Sequence, residues 1–348
     1  MRIATITYSW AQNWGAVLQA YALVEYLNSQ GHDAKLIRYR PFDDRLISTV
    51  KSIPDGIVDL LTISQSKRRI DRYNEFRKNA LKLTQQCVTH DELKALNDDF
   101  DCFITGSDQV WNIGRGANMD FYLTFADENK KRVSYAASFG VSAIPCEHQQ
   151  DVTKGLSNIQ MISVREESGR KIVSELDGRV AEVVLDPVFL LSKEQWLQVS
   201  RKQTKVRKPY IFVYPTQVTQ TLKKLVRKLK KETGLIAVSP FYVPGCKTVK
   251  DIGPREFIDY IAGAEYVVAT SFHATAFSLI FEKKLFVVTH SQTGSRTTDL
   301  LKAMKMEECI IGDAAQMPDV NWHFSQMRKE KEIKIALSKN YLQRALDW

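Results

Sequence analysis

His273 stands where a short apolar run ends. Tyr266-Val-Val-Ala269 is followed by Thr270, Ser271, Phe272 and His273, then by Ala274-Thr-Ala-Phe-Ser-Leu-Ile280. The run suits a strand buried on both faces and the later segment a buried helix. The imidazole therefore falls at a strand-to-helix turn. In open α/β sheets, ligands bind beyond the carboxyl ends of the strands. A helix N-terminus there offers N–H groups and a partial positive charge to a phosphate or carboxylate. A histidine beside such an anion can act as an acid near neutral pH. The competing reading is a capping or core-edge histidine.

Other chemistry-bearing residues fall at comparable places. Gln12-Asn13-Trp14-Gly15 follows the first strand. It lacks the GxGxxG spacing, so a dinucleotide site is not supported, and Gly15 can simply permit the turn. Phe100-Asp-Cys-Phe-Ile-Thr105 reads as a strand running into Gly106-Ser-Asp-Gln-Val-Trp-Asn112. That heptad gathers Ser107, Asp108, Gln109, Trp111 and Asn112. The mixture suits a hydroxyl-rich ligand, because an aromatic face covers apolar sugar surface while carboxylate and amides bind hydroxyls. It equally suits a turn whose Asp caps a helix. Arg165 and Glu166 follow a strand at 160–164, where the arginine is either the salt-bridge partner of Glu166 or an anion clamp. Arg296 stands just before a helical pattern at 297–304.

The elements that must position these residues alternate along the chain. A strand at 2–9, a helix at 16–29 and a strand at 33–39 make a βαβ unit. From Pro41 to about Gln86 the pattern is less regular, although Ile70, Tyr73, Phe76 and Arg77 fit one helix face beside the basic Lys67-Arg-Arg69. Strands follow at 100–105, 131–138, 160–164 and 181–185, with a helix at 168–176. The polar, basic stretch 192–208 reads as an interdomain connection. Beyond it come a strand at 209–215, a helix at 217–232, a strand at 234–239, a helix at 254–262, the His273 stretch, a strand at 284–290 and the helix at 297–304. This predicts an α/β protein with two facing Rossmann-like domains, at 1–192 and 205–328, and a terminal helix at 330–348 packing back on the first.

With 348 residues the chain is long enough for two cores. Its 44% hydrophobic and 26% charged residues are ordinary for a globular protein. The apolar runs are too short for a membrane span, and the N-terminus lacks a signal-peptide layout, so cytoplasm is the expected location. Five scattered cysteines without a CxxC read as reduced thiols, not as a disulfide set or a metal site. The net charge of +9 is carried largely on helix faces such as residues 222–231, where lysines alternate with a leucine stripe. That is first a solvated face; the sharper readings are attraction to anionic substrates or to the inner membrane surface. No zinc-finger spacing or RNA-binding signature is present, so nucleic acid is not an expected partner.

The chain resembles the polysaccharide pyruvyl transferases along nearly its whole length. The matching pieces are Asn13-Trp-Gly-Ala-Val-Leu-Gln19, Gly106-Ser-Asp-Gln-Val-Trp-Asn112, Ile162-Ser-Val-Arg-Glu166, Asp186-Pro187 and Ser271-Phe-His273, in the family's order. The resemblance implies a glycosyltransferase-B-like fold. It also implies transfer of pyruvate from phosphoenolpyruvate onto a sugar of an exopolysaccharide precursor, as a cyclic ketal. Phosphoenolpyruvate is then a co-substrate, with no cofactor and no metal, and the acceptor is a sugar or lipid-linked oligosaccharide. Family members bind phosphoenolpyruvate through arginines and the histidine of a Ser-x-Arg-Leu-His motif. In this chain Ser271 stands at the arginine position, Phe272 at the leucine position, and His273 is kept, as in a Ser-Phe-His subgroup.

Carried over residue by residue, the resemblance implies a donor site in the second domain and an acceptor site in the first. His273 protonates the methylene carbon, and Glu166 or Asp108 serves as base. Arg165, Arg296, Ser271 and Thr270 hold the donor, and Arg296 makes good the missing arginine. Asn13, Trp14, Gln19, Ser107, Gln109, Trp111 and Asn112 receive the acceptor. Two rivals stand beside this reading. One is a nucleotide-sugar glycosyltransferase, which requires an acidic residue gripping a ribose late in the second domain, and no clear candidate is found there. The other is a non-catalytic homologue.

Overall fold

The computed structural model describes residues 1–40, 60–115, 117–202, 204, 206, 209–289, 294–312, 320 and 322–348. The chain forms two compact units, residues 1–187 with 340–348, and residues 188–339. Part of the irregular stretch expected after Pro41 and the end of the strand expected up to His290 lie outside the described residues.

In the first unit, β1 (Arg2–Ile6), β2 (Asp33–Tyr39), β3 (Leu83–Cys87), β4 (Cys102–Thr105) and β5 (Lys131–Ser134) form a parallel sheet in the order β3-β2-β1-β4-β5. Ile3, Ala4 and Ile6 of β1 and Phe103 and Ile104 of β4 are fully buried, as central strands covered on both faces require. The helices are α1 (Trp14–Ser29), α2 (Leu60–Ala80), α3 (His90–Lys94), α4 (Cys146–Ser157) and α5 (Glu167–Asp177). Asn13 starts α1 by accepting the Ala16 N–H at 3.2 Å. The short β6 (Ser163–Val164) and β7 (Glu182–Val183) pair with each other, and single bridges Val133–Met161 and Ala137–Val164 join them to the β5 side. The strands expected at 160–164 and 181–185 are thus real but only two residues long. β3 is a strand inside the stretch read as irregular; it is polar and lies at the sheet edge, so it carries little apolar alternation.

The second unit repeats the topology. Strands β8 (Tyr210–Tyr214), β9 (Ile236–Ser239), β10 (Lys247–Thr248), β11 (Tyr266–Ala269) and β12 (Lys284–Val287) run parallel in the order β10-β9-β8-β11-β12. The helices are α6 (Lys193–Val199), α7 (Gln220–Thr233), α8 (Pro254–Gly263), α9 (Phe272–Ile280), α10 (Gly294–Ala303) and α11 (Phe324–Asp347). Leu222, Leu225, Val226 and Leu229 of α7 are at most 1% exposed, the buried stripe of an amphipathic helix.

One boundary needs correction. The connection expected at 192–208 contains α6, and the chain changes units at 187/188. A Ser192–Gln195 capping box starts this helix. Trp196 anchors it, fully buried, with its indole N–H on the Val188 carbonyl at 2.9 Å and its ring 4.9 Å from Phe277. Helix α11 contributes to both units. Arg328 pairs with Glu282 at 2.8 Å in the second, while Tyr341 donates to the Ser134 carbonyl at 2.9 Å and Arg344 pairs with Glu182 at 2.7 Å in the first.

Candidate functional site

In each sheet the order of strands reverses beside the first strand of the unit, between β1 and β4 and between β8 and β11. Such switch points open a crevice at the carboxyl ends of the strands. The stretches carrying the candidate chemistry lie there: the loops after β1 and β4 in the first unit, and residues 270–273 in the second.

In the first unit a polar clamp ties the two loops together. Thr7 Oγ1 donates to the Ser107 carbonyl at 2.8 Å, and Gln19 Nε2 donates to Thr7 Oγ1 at 3.0 Å. The Ser107 N–H returns to Gln19 Oε1 at 3.2 Å. Gly106 has φ +114°, and a Cβ on it would lie 2.3 Å from the Tyr135 carbonyl oxygen, so only glycine fits. Asp108, two residues on, holds a left-handed φ of 65°, a conformation that costs a non-glycine residue energy. Its carboxylate is half-buried and accepts no hydrogen bond from the described residues.

Below this clamp lies a buried ionic network. Arg165 Nη1 donates to Asp186 Oδ2 at 2.7 Å, with the two side chains 2% and 0% exposed. Ser107 Oγ sits 3.0 Å from the same carboxylate oxygen. Glu166 Oε2 is 3.8 Å from Arg165 Nε, while Glu166 Oε1 accepts from Ser138 Oγ at 2.7 Å. Burial works against the Arg165 charge, but the carboxylates of Asp186, Glu166 and Asp108 outweigh it and raise the pKa. Arg165 is therefore a buried counter-ion whose closest carboxylate is Asp186, neither the simple Glu166 partner nor the strand-end clamp that its position in the sequence suggests. Glu166 is equally enclosed.

Four of the seven residues expected to receive the acceptor are core residues. Gln19 and Ser107 are fully buried in the clamp. Trp111 is 2% exposed, stacks on Tyr122 with centroids 5.2 Å apart, and donates its indole N–H to the Phe121 carbonyl at 3.1 Å. Trp14 is also 2% exposed, with the Arg69 guanidinium 4.5 Å over its ring. Apolar rings at these places fill the core beneath the loops. Asn13 is occupied as the cap of α1 but exposed, and Gln109 and Asn112 are half-buried and hydrogen-bonded to each other.

In the second unit, Thr216 and Thr270 bind the ends of β8 and β11 together. The Thr216 N–H donates to Thr270 Oγ1 at 2.6 Å, and the two hydroxyl oxygens are 2.8 Å apart. Thr270 is thus a buried fastener. Ser271 caps α9, its hydroxyl oxygen accepting the Ala274 N–H at 3.2 Å. His273 follows in the first turn, half-buried, its ring perpendicular to Phe272 at 5.2 Å. Helix α9 packs against α10, whose first turn carries Arg296, also half-buried. A helix N-terminus at a strand end, an imidazole and a guanidinium on the neighbouring helix are the parts of an anion site with an acid.

One group of residues escaped the motif reading. Arg38, Arg40, Arg77 and Lys78 surround a cavity at the carboxyl ends of β1 and β2. Behind it, Tyr39 donates its hydroxyl to Asp120, which also holds His90 Nδ1 at 2.7 Å. Among the described residues no group of His, Cys, Asp or Glu is placed to hold a metal ion, and no helix is long and apolar enough to cross a membrane.

Comparison with solved structures finds likenesses at low identity. The UDP-GlcNAc 2-epimerase from Methanocaldococcus jannaschii is 10% identical over 96% of this chain and 93% of that chain, with a TM-score of 0.51. The UDP-GlcNAc 2-epimerase from Neisseria meningitidis, bound to UDP-GlcNAc, is 11% identical over 99% and 94%, with a TM-score of 0.48. The E. coli heptosyltransferase WaaC with ADP is 10% identical over 99% and 100%, with a TM-score of 0.43. The fold is of the glycosyltransferase-B type, with one Rossmann-like unit in each half. No match is found among curated proteins. A family model described as polysaccharide pyruvyl transferase matches residues 13–292, which takes in Gln19 and Ser107 of the clamp, the Arg165–Asp186 network and His273. The chain belongs to the polysaccharide pyruvyl transferase family.

Proposed function

We propose that the protein moves pyruvate from phosphoenolpyruvate onto two hydroxyls of a sugar in a cell-surface polysaccharide precursor, forming a cyclic ketal. The observation that carries this reading is His273 in the first turn of α9, at the switch point of the second unit, with Arg296 on the adjoining helix. The donor bears a carboxylate and a phosphate, so its cradle needs cations and N–H donors. Arg296 supplies the charge that Ser271 does not, and Ser271 orders the helix end by capping it. The reaction begins when His273 gives a proton to the methylene carbon, leaving an oxocarbenium-like carbon that a sugar hydroxyl attacks. The hydroxyl proton passes to a base and on to the departing phosphate as its C–O bond breaks, and a second hydroxyl closes the ring, its proton restoring His273.

Asp108 is the better base of the two carboxylates considered. It is half-buried and takes no hydrogen bond from the described residues, whereas Glu166 is enclosed beside Arg165 and bonded to Ser138. The exposed Lys224, Arg227 and Lys231 on α7 support a peripheral place on an anionic membrane surface, where lipid-linked acceptors are carried. The test is incubation with phosphoenolpyruvate and a panel of nitrophenyl and lipid-linked sugars, following phosphate release. Release that depends on both enzyme and sugar is expected; no release with any sugar, with binding of a nucleotide sugar instead, overturns the reading.

A further inference from the structure

The cavity that the motifs did not mark lies within the first unit and encloses about 610 Å³, a volume suited to a small ligand. Ser9 and Trp10 line it from the loop after β1, Arg38, Tyr39 and Arg40 from the end of β2, and Asn74, Arg77 and Lys78 from α2. Its charge is one-sided. Among the described residues four cations line it, no carboxylate does, and none of the four makes an ion pair. The carboxylate of Asp120, beyond Tyr39, is taken up by Tyr39 and His90 and is not part of the wall.

Arg77 is the fixed member. Its guanidinium donates to the carbonyls of Ser9 at 3.0 Å, Trp10 at 2.6 Å and Ala11 at 2.7 Å, which pins the loop after β1 against α2. Burial, with the nearby Arg40 charge, lowers its pKa to about 10, so it remains a cation at neutral pH without an anionic partner. A partly desolvated cation is costly unless a counter-charge arrives. Neighbouring arginines and a lysine compound that cost, because like charges repel across a short distance. Arg38 is exposed and Arg40 half-buried, so both are accessible from solvent. The Ser9 hydroxyl and Asn74 amide add neutral donors, and the half-buried Trp10 offers an aromatic surface beside the charges. Clustered guanidinium groups with neutral donors are the chemistry that grips phosphate.

We infer that this pocket holds a phosphate or diphosphate group by which the sugar acceptor is carried, with the sugar lying toward Trp10. The assignment rests on the pyruvyl transfer reading for the word acceptor, but not for the anion site itself. The same anionic end can belong to a soluble sugar phosphate or to a lipid-linked diphosphate.

The experiment is calorimetric titration of the full chain with glucose 1-phosphate, inorganic pyrophosphate and detergent-dispersed farnesyl diphosphate, with glucose as the neutral control. The wild type is expected to bind the phosphates and not glucose. Arg40→Ala and Lys78→Ala, both away from the loop-pinning contacts of Arg77, are each expected to weaken binding by roughly tenfold or more, as loss of one charge-assisted contact implies. Tighter binding of farnesyl diphosphate than of pyrophosphate assigns the lipid-linked source; tighter binding of glucose 1-phosphate assigns the soluble one. Phosphate binding that is absent in the wild type, or unchanged in both variants while their circular dichroism is native, overturns the inference. Displacement of pyrophosphate by equimolar phosphoenolpyruvate also overturns it, by making the pocket a donor site. If the pocket binds phosphates as stated yet no sugar accepts pyruvate, the functional reading fails and the anion site stands. If pyruvate is transferred but Arg40→Ala does not alter the KM of a phosphorylated acceptor, the pocket assignment fails and the function stands.

Discussion

Arg165 Nη1 lies 2.7 Å from Asp186 Oδ2 with both side chains withdrawn from water, and this contact joins two family motifs inside one unit. Glu166 and Ser107 complete the arrangement, so the arginine balances carboxylates that have no route to solvent. Removing one member of a buried pair leaves an uncompensated charge, a loss of about 3–5 kcal/mol. Arg165→Ala is therefore expected to lower the free energy of unfolding by that amount, read as a lower urea midpoint with an unchanged slope. A midpoint close to wild type contradicts the structural role and returns Arg165 to the donor site.

Gln19 fastens the loop after β1 to the loop after β4. Gln19→Leu keeps the volume but strands the buried Ser107 N–H and removes the N–H that the Thr7 hydroxyl accepts, leaving that hydroxyl only its bond to the Ser107 carbonyl. An expected loss of about 1–3 kcal/mol follows from leaving buried polar groups unsatisfied. Equilibrium unfolding measures it, and a variant as stable as wild type shows that the clamp is dispensable.

The thiols separate by exposure. Burial pushes Cys87 and Cys246 up to about 11 and Cys102 and Cys309 up to about 12, while Cys146 lies exposed at the start of α4. A raised thiol pKa means less thiolate at a given pH, about one part in a thousand at pH 8 for a value near 11. Iodoacetamide at pH 8 is thus expected to label Cys146 first, as peptide mass mapping reads directly. Labelling of Cys102 at the same rate in the native protein contradicts the burial described.

The strand and helix alternation is legible in the sequence because period and turn residues are local properties, and the carboxyl-end position of residues 106–112 and 270–273 follows from it. Burial is not local. Trp14 and Trp111 stand among amides and a carboxylate, a composition shared by a sugar platform and by a core beneath a loop. Only the stack on Tyr122 and the cover from Arg69 decide for the core. Asp186 gives no hint in its Asp-Pro dipeptide that it neutralises Arg165. Helix α6 is hidden because its few apolar residues sit in a basic stretch, and its anchor Trp196 finds Phe277 far along the chain. The four-cation cavity likewise draws on β2 and α2, which no motif joins.

The most direct test of pyruvyl transfer with His273 as the proton donor is a single comparison of wild type with His273→Gln. Each is incubated with phosphoenolpyruvate and a sugar acceptor found by the phosphate-release screen, and the acceptor is followed by mass spectrometry. The wild type is predicted to add one ketal-linked pyruvate per phosphate released. The variant, folded and still binding phosphoenolpyruvate, is predicted to be slower by at least about 100-fold, the low end for general acid catalysis. A wild type that leaves every acceptor unmodified contradicts the transfer, and near-normal turnover in the variant contradicts the role given to His273.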